Sequence, residues 1–172
     1  YFLDDIPVPY LFHIGFGPSV VAPALVNRVD LYPGGYPARL GRYAGGVVSA
    51  EATEPRTDLH GEGNLRLFDV GGLVKSGFAG GRGTVLLGGR YSYTAAIVSL
   101  VAPELKLDYR DYQARVSYDV TRKDRVTLFA FGSYDYLAQT SNNITSILFG
   151  TEFYRTDLRH EHRFDGGAVR TS

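Results

Sequence analysis

Cysteine, methionine and tryptophan do not occur in this chain of 172 residues. Without cysteine there are no disulfides, no thiolate metal ligands and no thiol nucleophile. No apolar run reaches the roughly 18 residues that a membrane-crossing helix needs. An excess of charge of either sign is missing too: 18 basic side chains balance 18 acidic ones. That balance gives no argument for nucleic acid, whose partners carry a clustered positive surface, and no such partner is expected.

The motifs of common catalytic machinery are also missing. There is no Gly-x-Ser-x-Gly elbow, no P-loop and no zincin motif. Gly80-Gly81-Arg82-Gly83 is glycine-rich but lacks the Lys-Ser/Thr of a phosphate cradle, so it reads as a turn. Asp4-Asp5 is an ordinary acidic pair in a loop. No residue set carries a reaction, and the chain is not expected to be an enzyme. Four histidines are present: His13, His60, His160 and His162. In a strand His160 and His162 share a face with Glu161 opposite, and no third ligand is evident. A solvated strand end is the preferred reading over a metal site.

What is abundant is glycine, tyrosine and phenylalanine, with 21, 13 and 10 residues. This composition favours turns and strands over helices. Two textures follow one another. Residues 1–57 are rich in proline and glycine, with six of the eight prolines before residue 40. Residues 58–172 hold a single proline, Pro103, and long alternating segments. The stretch Glu54-Pro55-Arg56-Thr57 marks the boundary.

Alternation is clearest over residues 109–120. Tyr112, Ala114, Val116, Tyr118 and Val120 share one parity; Tyr109, Asp111, Gln113, Arg115, Ser117 and Asp119 share the other. A strand sends alternate side chains to opposite faces, so one face is apolar and the other polar. In residues 84–95, Val85, Leu87 and Tyr91 oppose Thr84, Arg90 and Ser92. Residues 125–136 alternate less cleanly, because Phe129 and Phe131 fall on the polar parity. Residues 147–164 set Arg155, Asp157, Arg159, Glu161 and Arg163 on one face. Six strands are expected, over 61–68, 72–78, 84–96, 109–120, 125–138 and 147–164. The connections at 79–83 and 121–124 are short, and those at 97–108 and 138–146 long. Segments of this length match the roughly 9–11 residues of a tilted membrane-crossing strand, and short turns alternating with long loops are what a bacterial outer-membrane barrel shows. Tyr91, Tyr93, Tyr112, Tyr118, Tyr134 and Tyr136 sit on the apolar parity near strand ends, where tyrosine anchors at lipid headgroups.

The first region adds motifs: Val29-Asp30-Leu31, Gly34-Gly35, Leu40-Gly41 and Gly45-Gly46-Val47-Val48 in that order. This order and spacing resemble the second half of the plug domain of TonB-dependent outer-membrane receptors, which leads into the first barrel strand. Phe2-Leu3-Asp4-Asp5-Ile6-Pro7-Val8-Pro9 is similar to that family's Val-Asp-Gly-Val-Pro strand and turn. Asp5 stands where a glycine is usual, and Leu40-Gly41 stands for Tyr-Gly.

The resemblance implies an all-β chain. Residues 1–57 would be the C-terminal part of a plug, and residues 58–172 the first, antiparallel strands of a transmembrane barrel. Because the family's barrel has about 22 strands, these should form an open, curved sheet. The chain begins Tyr1-Phe2-Leu3-Asp4-Asp5 and ends shortly after Gly166-Gly167, so it reads as a fragment. The function implied is active uptake across a Gram-negative outer membrane. An external ligand, siderophore-like or another nutrient, binds plug and loops, and a TonB-type energy-transducing protein opens a path. Outer-membrane lipid is the other partner, and no cofactor is implied. Plug–barrel contacts would fall to Arg39, Arg42 and Glu51. Arg90, Gln113, Arg115, Asp135, Arg155, Asp157 and Arg159 would face the lumen. Loops 97–108 and 138–146 would face outside, turns 79–83 and 121–124 the periplasm, and residues 10–20 and 97–108 would contact ligand. The readings kept beside this one are a small passive outer-membrane barrel or adhesin, and a soluble β-sandwich interaction module.

Overall fold

The computed structural model describes residues 1–41, 43–53 and 57–172. The chain is all-β and divides into two compact units, Tyr1–Glu54 and Pro55–Ser172. Glu54, Pro55 and Arg56 of the expected boundary lie outside the described residues, as does Arg42.

The first unit is built on four short strands: β1 (Phe2–Leu3), β2 (Ile6–Pro7), β3 (Val26–Tyr32) and β4 (Val47–Ala52). Their order in the sheet is β2-β1-β4-β3, with β1 parallel to β4 and the other pairs antiparallel. The turn between β1 and β2 holds Asp4 and Asp5 at φ of 50° and 67°. Aspartate tolerates this left-handed region better than most residues, because its short side chain can bond locally. The Asp4 side chain also makes a long-range bond: its Oδ1 accepts the Ala52 amide at 2.7 Å and ties the turn to β4. Phe2, Leu40 and Val47 form a buried cluster, with Tyr32 and Tyr36 packed against it.

The second unit is one antiparallel sheet of seven strands, in simple sequence order. They are β5 (His60–Leu65), β6 (Asp69–Phe78), β7 (Gly83–Ser92), β8 (Leu105–Asp119), β9 (Asp124–Ser141), β10 (Ile144–Phe164) and β11 (Gly167–Thr171). β5 and β11 are its edges and do not pair, so the sheet is open.

Several expectations are corrected here. There are seven strands rather than six, because Asp165-Gly166 is a hairpin turn and β11 follows it. Asp69, Val70 and Gly71, which fall between the strands expected at 61–68 and 72–78, belong to β6. The strand expected to run to residue 96 stops at Ser92, and Thr94–Val98 forms a short helix, α1. The long connection therefore covers residues 93–104. The long loop expected at 138–146 does not exist. β9 and β10 continue to a two-residue turn at Asn142 and Asn143, whose φ values are 50° and 62°. Positive φ at both central residues is the requirement of the tight hairpin turn, and asparagine meets it. Polar residues at 139–146 read as loop by composition, but the turn chemistry of the Asn pair decides the matter.

The parity pattern itself is kept. Leu87, Tyr91, Tyr112, Val116 and Leu128 are exposed, while Tyr109, Asp111, Gln113, Arg115, Ser117 and Asp135 are buried. In water-soluble sheets the apolar face is the buried one, so the sidedness is inverted. Register aligns the exposed parity into continuous rows: Val74, Leu87, Ala114, Ala130 and Thr156 in one, Ser76, Val85, Val116, Leu128 and Leu158 in the next.

Gly132 lies on this face between Tyr112 and Tyr154, directly opposite both. The two rings stand 6.3 Å apart and close over the glycine. A Cβ added there would lie 2.7 Å from the Phe153 carbonyl oxygen and 2.8 Å from each ring. Small-to-large changes in such a packed spot cost about 1–3 kcal/mol. Gly132→Ala is expected to destabilise the sheet by that amount in denaturant titrations in detergent. An unchanged midpoint would show that the rings do not pack as described.

Candidate functional site

The polar face of the sheet is where charged groups converge. β7 and β8 set Arg90 directly opposite Asp111. The Arg90 guanidinium donates to Asp111 Oδ2 at 2.8 Å, with both side chains buried. Gln113 donates to the other oxygen, Oδ1, at 2.9 Å. One row along, the Tyr109 hydroxyl donates to Asp69 Oδ2 at 2.8 Å. Arg66 lies 3.6 Å from Asp69 Oδ1. Ser133 donates to Asp135 at 3.3 Å, and Ser117 and Thr127 share a hydrogen bond of 3.0 Å. The Arg90, Gln113, Ser117 and Ser133 links join adjacent strands or same-face neighbours, as the β-ladder aligns them. Tyr109 reaches across β7 to Asp69, and Arg66 approaches it from the β5–β6 turn.

An apolar group sits among them. Phe129 and Phe131 pack with their rings tilted by 33° at 5.2 Å, and Phe153 meets Phe131 edge-on at 6.0 Å. Arg155 lies opposite Phe131, with its guanidinium carbon 5.7 Å from the Phe153 ring. Asp157 and Arg159 pair at 3.2 Å on the same face. All seven residues expected to share the polar face therefore do so: Arg90, Gln113, Arg115, Asp135, Arg155, Asp157 and Arg159. The first four are buried, and the last three are partly exposed. Asp111, Asp69, Lys75 and Tyr109 belong with them and were not singled out from sequence. Asp111 and Tyr109 carried the right parity; what sequence lacked was the strand register that pairs them.

In the first unit, Arg39 donates to Asp5 at 3.2 Å, and Glu51 accepts from Arg28 at 3.3 Å. Both are exposed ion pairs within that unit.

At the far end of the apolar parity, beyond the uncharged rows, His160 and His162 flank Asp124. Their Nε2 and Nδ1 lie 3.1 Å and 2.7 Å from the same oxygen, Oδ1. The Thr121 hydroxyl donates to Oδ2 at 2.5 Å. These bonds, Thr121 first, hold the Asp124 carboxyl down at about 2, so it is ionised at any physiological pH. Among the described residues, no group of three or more His, Asp or Glu side chains is placed to hold a metal ion.

No protein-family model, curated protein or solved structure matches the chain.

Removing one partner of a buried ion pair leaves an uncompensated charge, at a cost of about 3–5 kcal/mol. Arg90→Met is expected to lose that much in equilibrium unfolding. Arg90→Met with Asp111→Leu should recover most of it. Equal losses in the single and double variants would show that this pair does not hold β7 to β8.

Proposed function

We propose that this chain is a segment of a Gram-negative outer-membrane receptor of the TonB-dependent kind. In this reading Pro55–Ser172 supplies barrel strands, and Tyr1–Glu54 supplies the later part of the plug. The observation that carries the barrel reading is the inverted polarity of the sheet. From Val126 to Tyr136, the exposed parity of β9 reads Val, Leu, Ala, Gly, Tyr, Tyr without a charge. The same parity on β6, β7 and β8 is uncharged over Val70–Phe78, Val85–Tyr91 and Tyr112–Tyr118. Eleven residues at about 3.3 Å each, tilted near 45°, span about 25 Å, the height of the apolar band on such barrels.

Aromatic side chains bound that band. Phe78 and Tyr118 stack at 6.0 Å at one end. Tyr91, Tyr112, Tyr134 and Tyr154 cluster at the other, with the Arg110 guanidinium 4.6 Å from the Tyr134 ring. Rings with one wet and one apolar side suit the headgroup level of a bilayer. An exposed apolar face of this extent is a liability for a soluble interaction module. The receptor part of the reading rests on the resemblance of residues 1–57. Its mechanism is energised uptake: an external ligand binds plug and loops, and a TonB-type partner pulls on the plug.

Two measurements test this. The chain has no cysteine, so single cysteines report unambiguously. In bilayers, labels at Leu87, Val116 and Leu128 should be quenched by lipid-soluble agents and protected from aqueous maleimide; equal aqueous labelling of these sites and Gln113 would overturn the barrel. In the full-length membrane-embedded protein, deletion of residues 1–54 should raise single-channel conductance. Unchanged conductance would favour a passive barrel over a plugged receptor.

A further inference from the structure

The turn end of the sheet, past Phe78 and Tyr118, holds a cavity of about 450 Å³ lined by Arg82, Asp119, Thr121, Arg122 and Arg163. Three arginines reach it from three places: the β6–β7 turn, the β8–β9 turn and β10. Backbone bonds fix their carriers. The Asp119 amide donates to the Arg82 carbonyl at 2.8 Å, and the Arg163 amide to the Lys123 carbonyl at 2.8 Å.

Two of the guanidiniums are held in place by one edge only. Arg82 donates from Nε and Nη2 to the Asp119 carbonyl and from Nη2 to the Val120 carbonyl, at 3.0–3.3 Å. It also lies 5.1 Å from the Tyr118 ring centroid. Arg163 donates from Nε to Glu161 at 2.7 Å. Nη1 of Arg82, both Nη atoms of Arg163 and the whole Arg122 guanidinium have no partner among the described residues. The nearby carboxylates are already engaged. Asp119 accepts from Arg125 at 2.7 and 3.2 Å, and Glu161 accepts from Arg163 and Arg170. Asp124 is held by Thr121, His160 and His162, and Lys123 adds a further cation in the turn. Positive charge is thus in excess at the cavity, with donor edges unspent.

We propose that this cavity binds a phosphate group. A guanidinium fork matches two oxygens of an oxyanion. Three forks from different directions suit a tetrahedral anion, whose oxygens point several ways, better than a planar carboxylate. The volume, within the range of small-molecule sites, leaves room for a group esterified to the phosphate. The phosphate has two possible sources, a soluble phosphate ester or a lipid headgroup. Binding does not depend on the membrane reading, but the source does. If the Phe78–Tyr118 pair marks a bilayer boundary, a phospholipid headgroup lies at the right depth.

The test uses the whole chain in two settings. In detergent micelles, glycerol phosphate is titrated calorimetrically, with sulfate and acetate as competitors. In bilayer nanodiscs, retention of phosphatidylglycerol is compared with that of neutral phosphatidylcholine. Arg122→Gln is the chief variant, since it breaks no bond of the fold; Arg122→Gln with Arg163→Gln is the second. Saturable binding in either setting, weakened ~10-fold or more by Arg122→Gln and displaced by sulfate but not acetate, supports the site. Micelle binding assigns a soluble ester, and nanodisc enrichment alone assigns a lipid headgroup. Absence of binding in both settings, indifference to both variants, or equal competition by acetate overturns it. The membrane reading has its own failure, aqueous labelling at Leu128, so the two are told apart.

Discussion

An antiparallel ladder sends neighbouring side chains of each strand to opposite sides and aligns each parity with that of the next strand. Here the ladder runs unbroken in register from β5 to β8, and only one shift, near Ile147, interrupts the β9–β10 pairing. All else in the second unit depends on that register. It gathers Arg90, Asp111, Gln113, Tyr109 and Asp135 on one face and leaves Leu87, Val116 and Leu128 on the other. A slip of one residue would exchange the faces of an entire strand.

The energetic consequence is unusual for a sheet. Buried charge is tolerable only when paired and hydrogen-bonded. The links on the polar face supply this: Arg90 with Asp111, Gln113 with Asp111, and Tyr109 with Asp69. The Phe129–Phe131–Phe153 group contributes ordinary apolar burial in their midst. The opposite face gains little in water, since each large apolar side chain left exposed forgoes about 1.5–3 kcal/mol of burial. Lipid covers such a face without requiring further protein, which is why polarity, more than strand count, carries the membrane reading.

The ends of the sheet differ in chemistry. One end carries tyrosines with Arg110, the other Phe78 and Tyr118 followed by a basic turn region. Aromatic rows followed by charge define where an apolar band stops. The turns that make this possible are short because their residues accept positive φ: Ala79, Gly80 and Gly81 at one hairpin, Asn142 and Asn143 at another.

Sequence alone determined the two faces, since parity needs only the strand period. The seven polar-face residues from Arg90 to Arg159 were legible for that reason. Their partners were not, because cross-strand pairing depends on where each strand begins. Asp69 falls between the strands expected at 61–68 and 72–78, so nothing in the sequence signals its bond to Tyr109. The polar flanks of Asn142-Asn143 point to a loop, although their pairing extends the ladder. The gathering of Arg82, Arg122 and Arg163 around one cavity joins residues up to 81 positions apart. No period or motif encodes such proximity. Register decides it, and register is set by turn geometry and by the matched patterns of paired strands rather than by any one strand's sequence.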